Sequence, residues 1–209
     1  MLIVPFTPDL SSVKKQEIMN TRIILLILLA GSPFLLAAQA IYAVNDAAVI
    51  TIEGTSTMHD WEMETKKVSG KAEFILDGNE VRGIKSLYIT VPSESLKSGK
   101  GAMDKNAYKA LKTDDHREIN FTLTDVSKIE KSGGKYILTC EGRLTIAGKT
   151  KAVELTATCL PKSNGSIQCT GGKVIKMTEY EVEPPSFMFG SVKTGDQLEI
   201  EFDVMFSKS

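Results

Sequence analysis

Histidine is nearly missing from this 209-residue chain: His59 and His116 are the only two. Neither stands at a spacing typical of zinc ligands. The three cysteines, Cys140, Cys159 and Cys169, contain no closely spaced pair of the metal-binding kind. A structural metal is therefore not expected, and no cofactor is. The chain also lacks a G-x-S-x-G nucleophile elbow and a glycine-rich phosphate loop, which removes two common signatures of catalysis and nucleotide binding. Charge of one sign is not in excess, with 25 Lys+Arg against 26 Asp+Glu. Nucleic-acid binders carry a basic surplus, so nucleic acid is not an expected partner. Seven prolines and 16 glycines do not suggest disorder. The length suits one domain, or one domain with an appendage.

What is present begins with an N-terminal apolar stretch. Ile23 to Leu29 is unbroken, and Leu35 to Ala38 continues it beyond Gly31-Ser32-Pro33. Arg22 precedes it and Ala38-Gln39-Ala40 follows. A basic start, an apolar middle and a small-x-small exit describe a secretory signal peptide. Residues 1–40 are read as that segment, with cleavage after Ala40 or after Ala43. Residues 1–18 read as an upstream extension or a long n-region, because Met19 would itself make an ordinary start. The apolar run is short for a membrane span, which needs about 20 residues. No span is expected after cleavage, and the mature chain should be periplasmic or secreted. An uncleaved anchor is the alternative.

From Val49 onward the chain reads as strand after strand, and eight strands are expected. They start near Val49, Val68, Ile84, Ile119, Lys135, Lys151, Ile167 and Gln197. The last is the clearest: Leu198, Ile200, Phe202, Val204 and Phe206 alternate with Glu199, Glu201, Asp203 and Met205. That period of two means one buried face and one wet face. The strand from Ile167 is weakened by Gly171-Gly172. One segment, Ala102 to Lys112, reads helical and lies between the third and fourth expected strands. Eight antiparallel strands on short turns can close into a barrel, which removes exposed edges. A two-sheet sandwich is the competing architecture, and periodicity does not choose between them.

Cys159 and Cys169 flank Pro161 to Ser166, a hairpin turn signal. A three-residue loop would place Cys159 opposite Cys169. A two-residue Asn164-Gly165 turn would place it opposite Thr170 and make a bridge diagonal. A Cys159–Cys169 disulfide is an expectation that an oxidising compartment allows. Cys140 shares a face with Leu138 and Leu144 and reads as a buried, inert thiol.

Four segments, in this order, resemble the YceI-like family, called polyisoprenoid-binding after its best-known ligand. They are Gly54 to Trp61, Met103 to Lys112 running into Asp115 to Phe121, Gly142 to Lys151, and Pro184 to Gly190. Arg117 stands where many members have proline. The match covers about Val49 to Ser207, within a domain read as residues 41–209. The resemblance implies an all-β, eight-stranded, antiparallel, lipocalin-like barrel with an apolar interior that takes an isoprenoid or fatty-acyl lipid. It implies no catalysis, and it leaves a homodimer open.

On that reading the inward strand faces line the ligand site: Phe74, Leu87, Ile89, Phe121, Leu138, Leu144, Val153, Leu155, Ile200 and Phe202. They could equally pack on one another as plain core. Small inward residues such as Ala72, Ala157, Gly142 and Gly171 would leave room. A head group would need donors at the mouth, for which His59, Tyr108, Lys112, Lys149 and His116 qualify by type. His59 stands first, at the family's histidine position and beside Trp61, the only tryptophan. Phe187 and Phe189, in a loop framed by Pro184-Pro185 and Gly190, form a lid, a piece of core or a docking patch. The leading function is an exported, non-enzymatic lipid carrier. A packed barrel acting in stress response or as an interaction protein is second. A hydrolase or isomerase using His59 or His116 as general base, with Asp60, Asp114 or Asp115 nearby, is third.

Overall fold

The computed structural model describes residues 38–187 and 190–209. The bulk of the expected signal segment, residues 1–37, and the loop pair 188–189, which includes Phe189, lie outside the described residues. Among the described residues no helix is long and apolar enough to cross a membrane.

The strands in chain order are β1 (Ala38–Val44), β2 (Val49–Ser56), β3 (Trp61–Thr65), β4 (Ser69–Asp77), β5 (Glu80–Pro92), β6 (Glu118–Ser132), β7 (Lys135–Ile146), β8 (Lys149–Pro161), β9 (Ile167–Lys176), β10 (Ser186–Phe187) and β11 (Val192–Lys208). The described residues also include an α-helix, α1 (Gly101–Leu111), and two 3-10 turns, Ser93–Ser95 and Met177–Tyr180. The pairings run β1-β4-β5-β6-β7-β8-β9-β11, and β1 bonds back to β11 through Tyr42↔Lys208, Ala43↔Ser207 and Val44↔Phe206. The result is a closed ring of eight antiparallel positions, a barrel rather than a sandwich.

The expected count of eight strands is corrected to eleven, and α1 follows β5 rather than the third strand. Local breaks account for the difference. β1 and β2 bond the same edge of β11, with β2 matched from Ser56↔Thr194 to Val49↔Asp203. Between them the Asn45 side chain accepts the Ala47 N–H at 3.0 Å and donates to Ser207 Oγ at 2.9 Å. This Asx turn interrupts an otherwise continuous run. Likewise β3 and β4 pair with β2 and β1, parted where the Lys67 N–H turns onto Thr65 Oγ1 at 3.0 Å. β10 is a two-residue addition against β11.

β1 begins within Ala38-Gln39-Ala40, the expected exit of the signal peptide. It nevertheless alternates: Ala40, Tyr42 and Val44 belong to the core, and Ile41 is 55% exposed. The barrel end it closes is packed solid. Tyr42, Phe74 and Phe206 stack edge to face, with centroids 5.3 Å and 5.5 Å apart, beside Leu138. At the other end Ile146, Ile175, Met177, Tyr180, Val182 and Leu198 form a second cluster with Ala110 and Leu111 of α1.

The β8–β9 hairpin takes the longer loop. Lys162 N–H donates to Ser166 O at 2.8 Å, and Cys159 stands opposite Cys169. Their sulfurs are bonded, with the Cα atoms 4.1 Å apart.

Closure through β1 makes Tyr42 a stability determinant. Tyr42→Ala should cost about 3–5 kcal/mol, in the range for truncating a buried aromatic. Urea unfolding with an unchanged m-value would register it; a loss under 1 kcal/mol would show that β1 does not complete the core.

Candidate ligand-binding cavity

The inward positions of the ring do not fill it. A cavity of about 480 Å³ remains, within the roughly 300–1,000 Å³ range of small-ligand sites. Strands supply the walls, and α1 crosses one end. Met103, Asn106, Ala107, Ala110 and Leu111 line the cavity at helical spacings of three and four, so one face of α1 looks inward. Pro185, Phe187 and Val192, from the loop around β10, line the same end.

Hydrogen bonds fix α1 there. The Asp104 carboxylate is buried and accepts from the Ser98 hydroxyl at 2.6 Å and the Ser98 N–H at 2.8 Å. The Ser98 hydroxyl first, then its N–H, holds the Asp104 pKa below the ordinary carboxylate value. The Tyr108 hydroxyl donates toward Leu96 O at 2.8 Å and Glu94 O at 2.9 Å, and it receives Lys97 Nζ at 2.5 Å. Lys97 also exchanges backbone hydrogen bonds with Glu64 of β3, at 2.8 and 2.9 Å. The helix is thus tied to both flanking strands.

Eight of the ten expected lining residues border the cavity: Leu87, Ile89, Phe121, Leu144, Val153, Leu155, Ile200 and Phe202. Phe74 and Leu138 do not. Both are 0% exposed in the solid end, so their placement along the cavity is corrected. Period two tells which face a residue is on but not how far along the barrel it lies. Gly142 and Gly171 do not leave room either. The Phe121 ring occupies the space over Gly142, where a β-carbon would come within 2.3 Å of it. Phe202 covers Gly171 in the same way, at 2.7 Å. Ala157 does line the cavity, while Ala72 is buried in the solid end.

The expected rim residues divide. His59, Trp61 and Phe187 border the cavity. His59 Nδ1 lies 2.7 Å from its neighbour's carbonyl, Asp60 O. Trp61 lies over Gly54 and donates from Nε1 to Thr55 O at 3.0 Å. Tyr108, Lys112 and His116 are not part of the cavity wall. Tyr108 braces the helix, and Lys112 ends it in a left-handed conformation with φ 54°. His116 packs its ring against Gly148 of the β7–β8 turn, and its carbonyl accepts from Ser93 Oγ at 3.0 Å. Lys149 pairs with Glu181. Among the described residues neither histidine ring bonds a carboxylate, and no group of His, Cys, Asp and Glu is placed to hold a metal.

The profile of the YceI-like domain matches residues 42–206. The chain belongs to the YceI-like family. Among curated proteins none matches it significantly. Solved structures similar to this YceI-like chain include BcnA of Burkholderia cenocepacia, at 19% identity and TM-score 0.62, covering 78% of this chain and 98% of that one. A polyisoprenoid-binding domain from Saccharophagus degradans, implicated in plant cell wall breakdown, is 11% identical with TM-score 0.63, covering 82% and 100%. The YCEI protein of Campylobacter jejuni is 20% identical with TM-score 0.52, covering 69% and 82%. At these identities the likeness is one of fold.

Within this YceI-like barrel a few polar groups reach the apolar wall. Tyr180, at the end of the second 3-10 turn, is 1% exposed and lines the cavity. Its hydroxyl has no hydrogen-bond partner among the described residues. Burial first, and Glu179 second, push its pKa up to about 12, so it remains a neutral phenol. Cys140 and Lys173 also line the wall, and among the described residues no aspartate or glutamate does. Lys173 and Tyr180 were not singled out from the sequence. Gly171-Gly172 disguised the alternation of β9, and the turn that carries Tyr180 has no period of its own.

Two outcomes follow from this packing. Gly142→Ala should destabilise by about 1–3 kcal/mol through overpacking, and Phe121→Leu in the same chain should recover part of the loss. Additive losses in thermal unfolding would contradict the ring-over-glycine contact. Burial also pushes the Cys140 thiol from 9.0 to about 11. Since the thiolate is the reactive form, its alkylation at pH 8 should run roughly 100-fold slower than that of an exposed thiol and accelerate up to pH 11. A rate equal to that of free cysteine would contradict the buried placement.

Proposed function

We propose that this chain is an exported, non-enzymatic carrier that holds one isoprenoid or fatty-acyl amphiphile inside its barrel. The observation that carries the reading is the apolar cavity of about 480 Å³ enclosed by a closed ring of strands. A hydrocarbon chain offers only apolar surface, and its burial is worth about 0.8 kcal/mol per CH2, so few polar contacts are needed. The polyisoprenoid-binding description of the Saccharophagus degradans domain supports the same ligand class. A packed barrel without a ligand has less support, since its interior would leave no such void. An enzyme has less again, with one histidine bonded to a backbone carbonyl and the other packed on a turn.

Export is supported by the basic–apolar–small pattern of residues 1–40 and by the Cys159–Cys169 disulfide, which suits an oxidising compartment. Processing after Ala40 fits the barrel better than processing after Ala43. The earlier cut keeps Ile41, whose carbonyl accepts the Ser209 N–H at 3.0 Å, and Tyr42, which is 5% exposed in the core. In this reading Leu87, Ile89, Phe121, Leu144, Val153, Leu155, Ile200 and Phe202 contact the chain of the ligand, while His59, Trp61 and Phe187 stand at the entrance.

The test is to purify the protein from its native host, extract it with organic solvent and identify what is released by mass spectrometry. About one amphiphile per chain is expected. Ala107→Phe, which places a ring on the inward face of α1, should lower that yield several-fold without loss of fold. Repeated absence of lipid, together with no uptake of added isoprenoid or fatty acid, would sink the proposal.

A further inference from the structure

The wall of the cavity carries a charge that no hydrocarbon requires. In β9 the inward positions are Cys169, Gly171, Lys173 and Ile175, while Gly172 and Val174 between them face out, Val174 being 47% exposed. Lys173 stands opposite Ile200 of β11, which itself stands opposite Ile52, and Ile52 opposite Met63. On its other side lie Leu155 and, opposite Leu155, Cys140. All of these border the cavity. Lys173 is the single charged member of a belt of otherwise apolar side chains.

Among the described residues no acidic group balances it. Other lysines of the barrel have acidic partners, as Lys131 has Glu80 and Lys149 has Glu181. Lys173 has no hydrogen bond or ion pair among the described residues, and no carboxylate lines the cavity. An ammonium facing an apolar interior is costly unless a counter-charge meets it. The adjacent outward positions of β9 would have carried a lysine at no such cost.

We propose that Lys173 receives the anionic head group, carboxylate or phosphate, of a single-chain amphiphile lying inside the barrel. The inference rests on the carrier reading above and goes beyond it in assigning the charge of the ligand and the depth of its head. The head then sits part-way along the barrel, between the solid end and the helix-covered end, rather than at the mouth. The Tyr180 hydroxyl, which has no hydrogen-bond partner among the described residues, is a second donor on the same wall. It is neutral and does not select for charge.

Charge-matched ligand pairs test this on protein expressed from the full-length gene and delipidated. Binding of palmitate is compared with hexadecanol, and of farnesyl phosphate with farnesol, in wild type, Lys173→Met and Lys173→Arg. Wild type should prefer at least one acid over its alcohol. Lys173→Met should weaken that acid roughly 10- to 100-fold, the range for a hydrogen bond to a charged group, and leave the alcohol unchanged. Lys173→Arg should keep the preference. Selectivity in the palmitate pair alone assigns a carboxylate, and in the farnesyl pair alone a phosphate. Lys100, at the N-terminal end of α1, is the other lysine that borders the cavity. If acids and alcohols bind alike, or Lys100→Met abolishes the preference while Lys173→Met does not, the inference is overturned and the carrier reading stands. If no ligand of either kind binds wild type, both fall. A wild-type thermal midpoint for Lys173→Met keeps a folding defect from imitating the result.

Discussion

The fold depends on how β11 is shared. One edge of this long strand bonds β9 from Gln197↔Lys176 to Phe206↔Ile167, and the other bonds β2 and then β1. Without the last three pairs to β1 the ring would be open, with the outer edge of β1 and the end of β11 unpaired. Closure satisfies those backbone groups and sets the diameter. Eight positions make a tube that side chains can just fill or just fail to fill. Here both outcomes occur in one barrel, solid around Phe74 and hollow beneath α1.

The hollow part persists because the residues that could plug it are held elsewhere. Phe121 of β6 and Phe202 of β11 are bulky side chains on the cavity wall, and each ring occupies the space over a glycine of the neighbouring strand, Gly142 and Gly171. The glycines therefore create room indirectly, by drawing rings into the wall rather than by leaving gaps in it. At the covered end, the hydrogen bonds of Asp104 and Tyr108 hold α1 across the opening instead of letting it sink inward. A cavity kept open by contacts made outside it is a feature of the architecture rather than a packing defect.

The sequence disclosed most where period was strict. From Leu198 to Phe206 β11 alternates without interruption, and its inward set is the one observed. The inward face of α1 was legible from Met103, Ala107, Ala110 and Leu111. Legibility ended wherever another local signal overlaid the period. Ala38-Gln39-Ala40 carries a strand inside what reads as a cleavage site. Asn45 and the Thr65–Lys67 contact cut two ring positions in pieces. Position along the barrel was invisible throughout, so Phe74 and Leu138 could not be separated from Leu87 or Leu155. The site suffered in the same way: Tyr108, Lys112 and His116 are near the right end of the barrel in sequence, but each is engaged in holding α1 or a turn.

The apolar wall and the ammonium that Lys173 brings to it bear on each other. A wholly apolar cavity would accept any slender hydrocarbon, since burial per CH2 is nearly the same for an alkyl or a prenyl chain, and it would discriminate mainly by length. A charge in such a wall penalises the empty and the neutrally filled states through desolvation, while adding attraction for an anion. Specificity then arises from the cost of leaving Lys173 unmatched, as much as from the contact made when it is matched. The absence of carboxylates from the wall removes the internal partner that would cancel this effect. The same feature that makes the interior less stable when empty is what allows a greasy tube to distinguish one amphiphile from another.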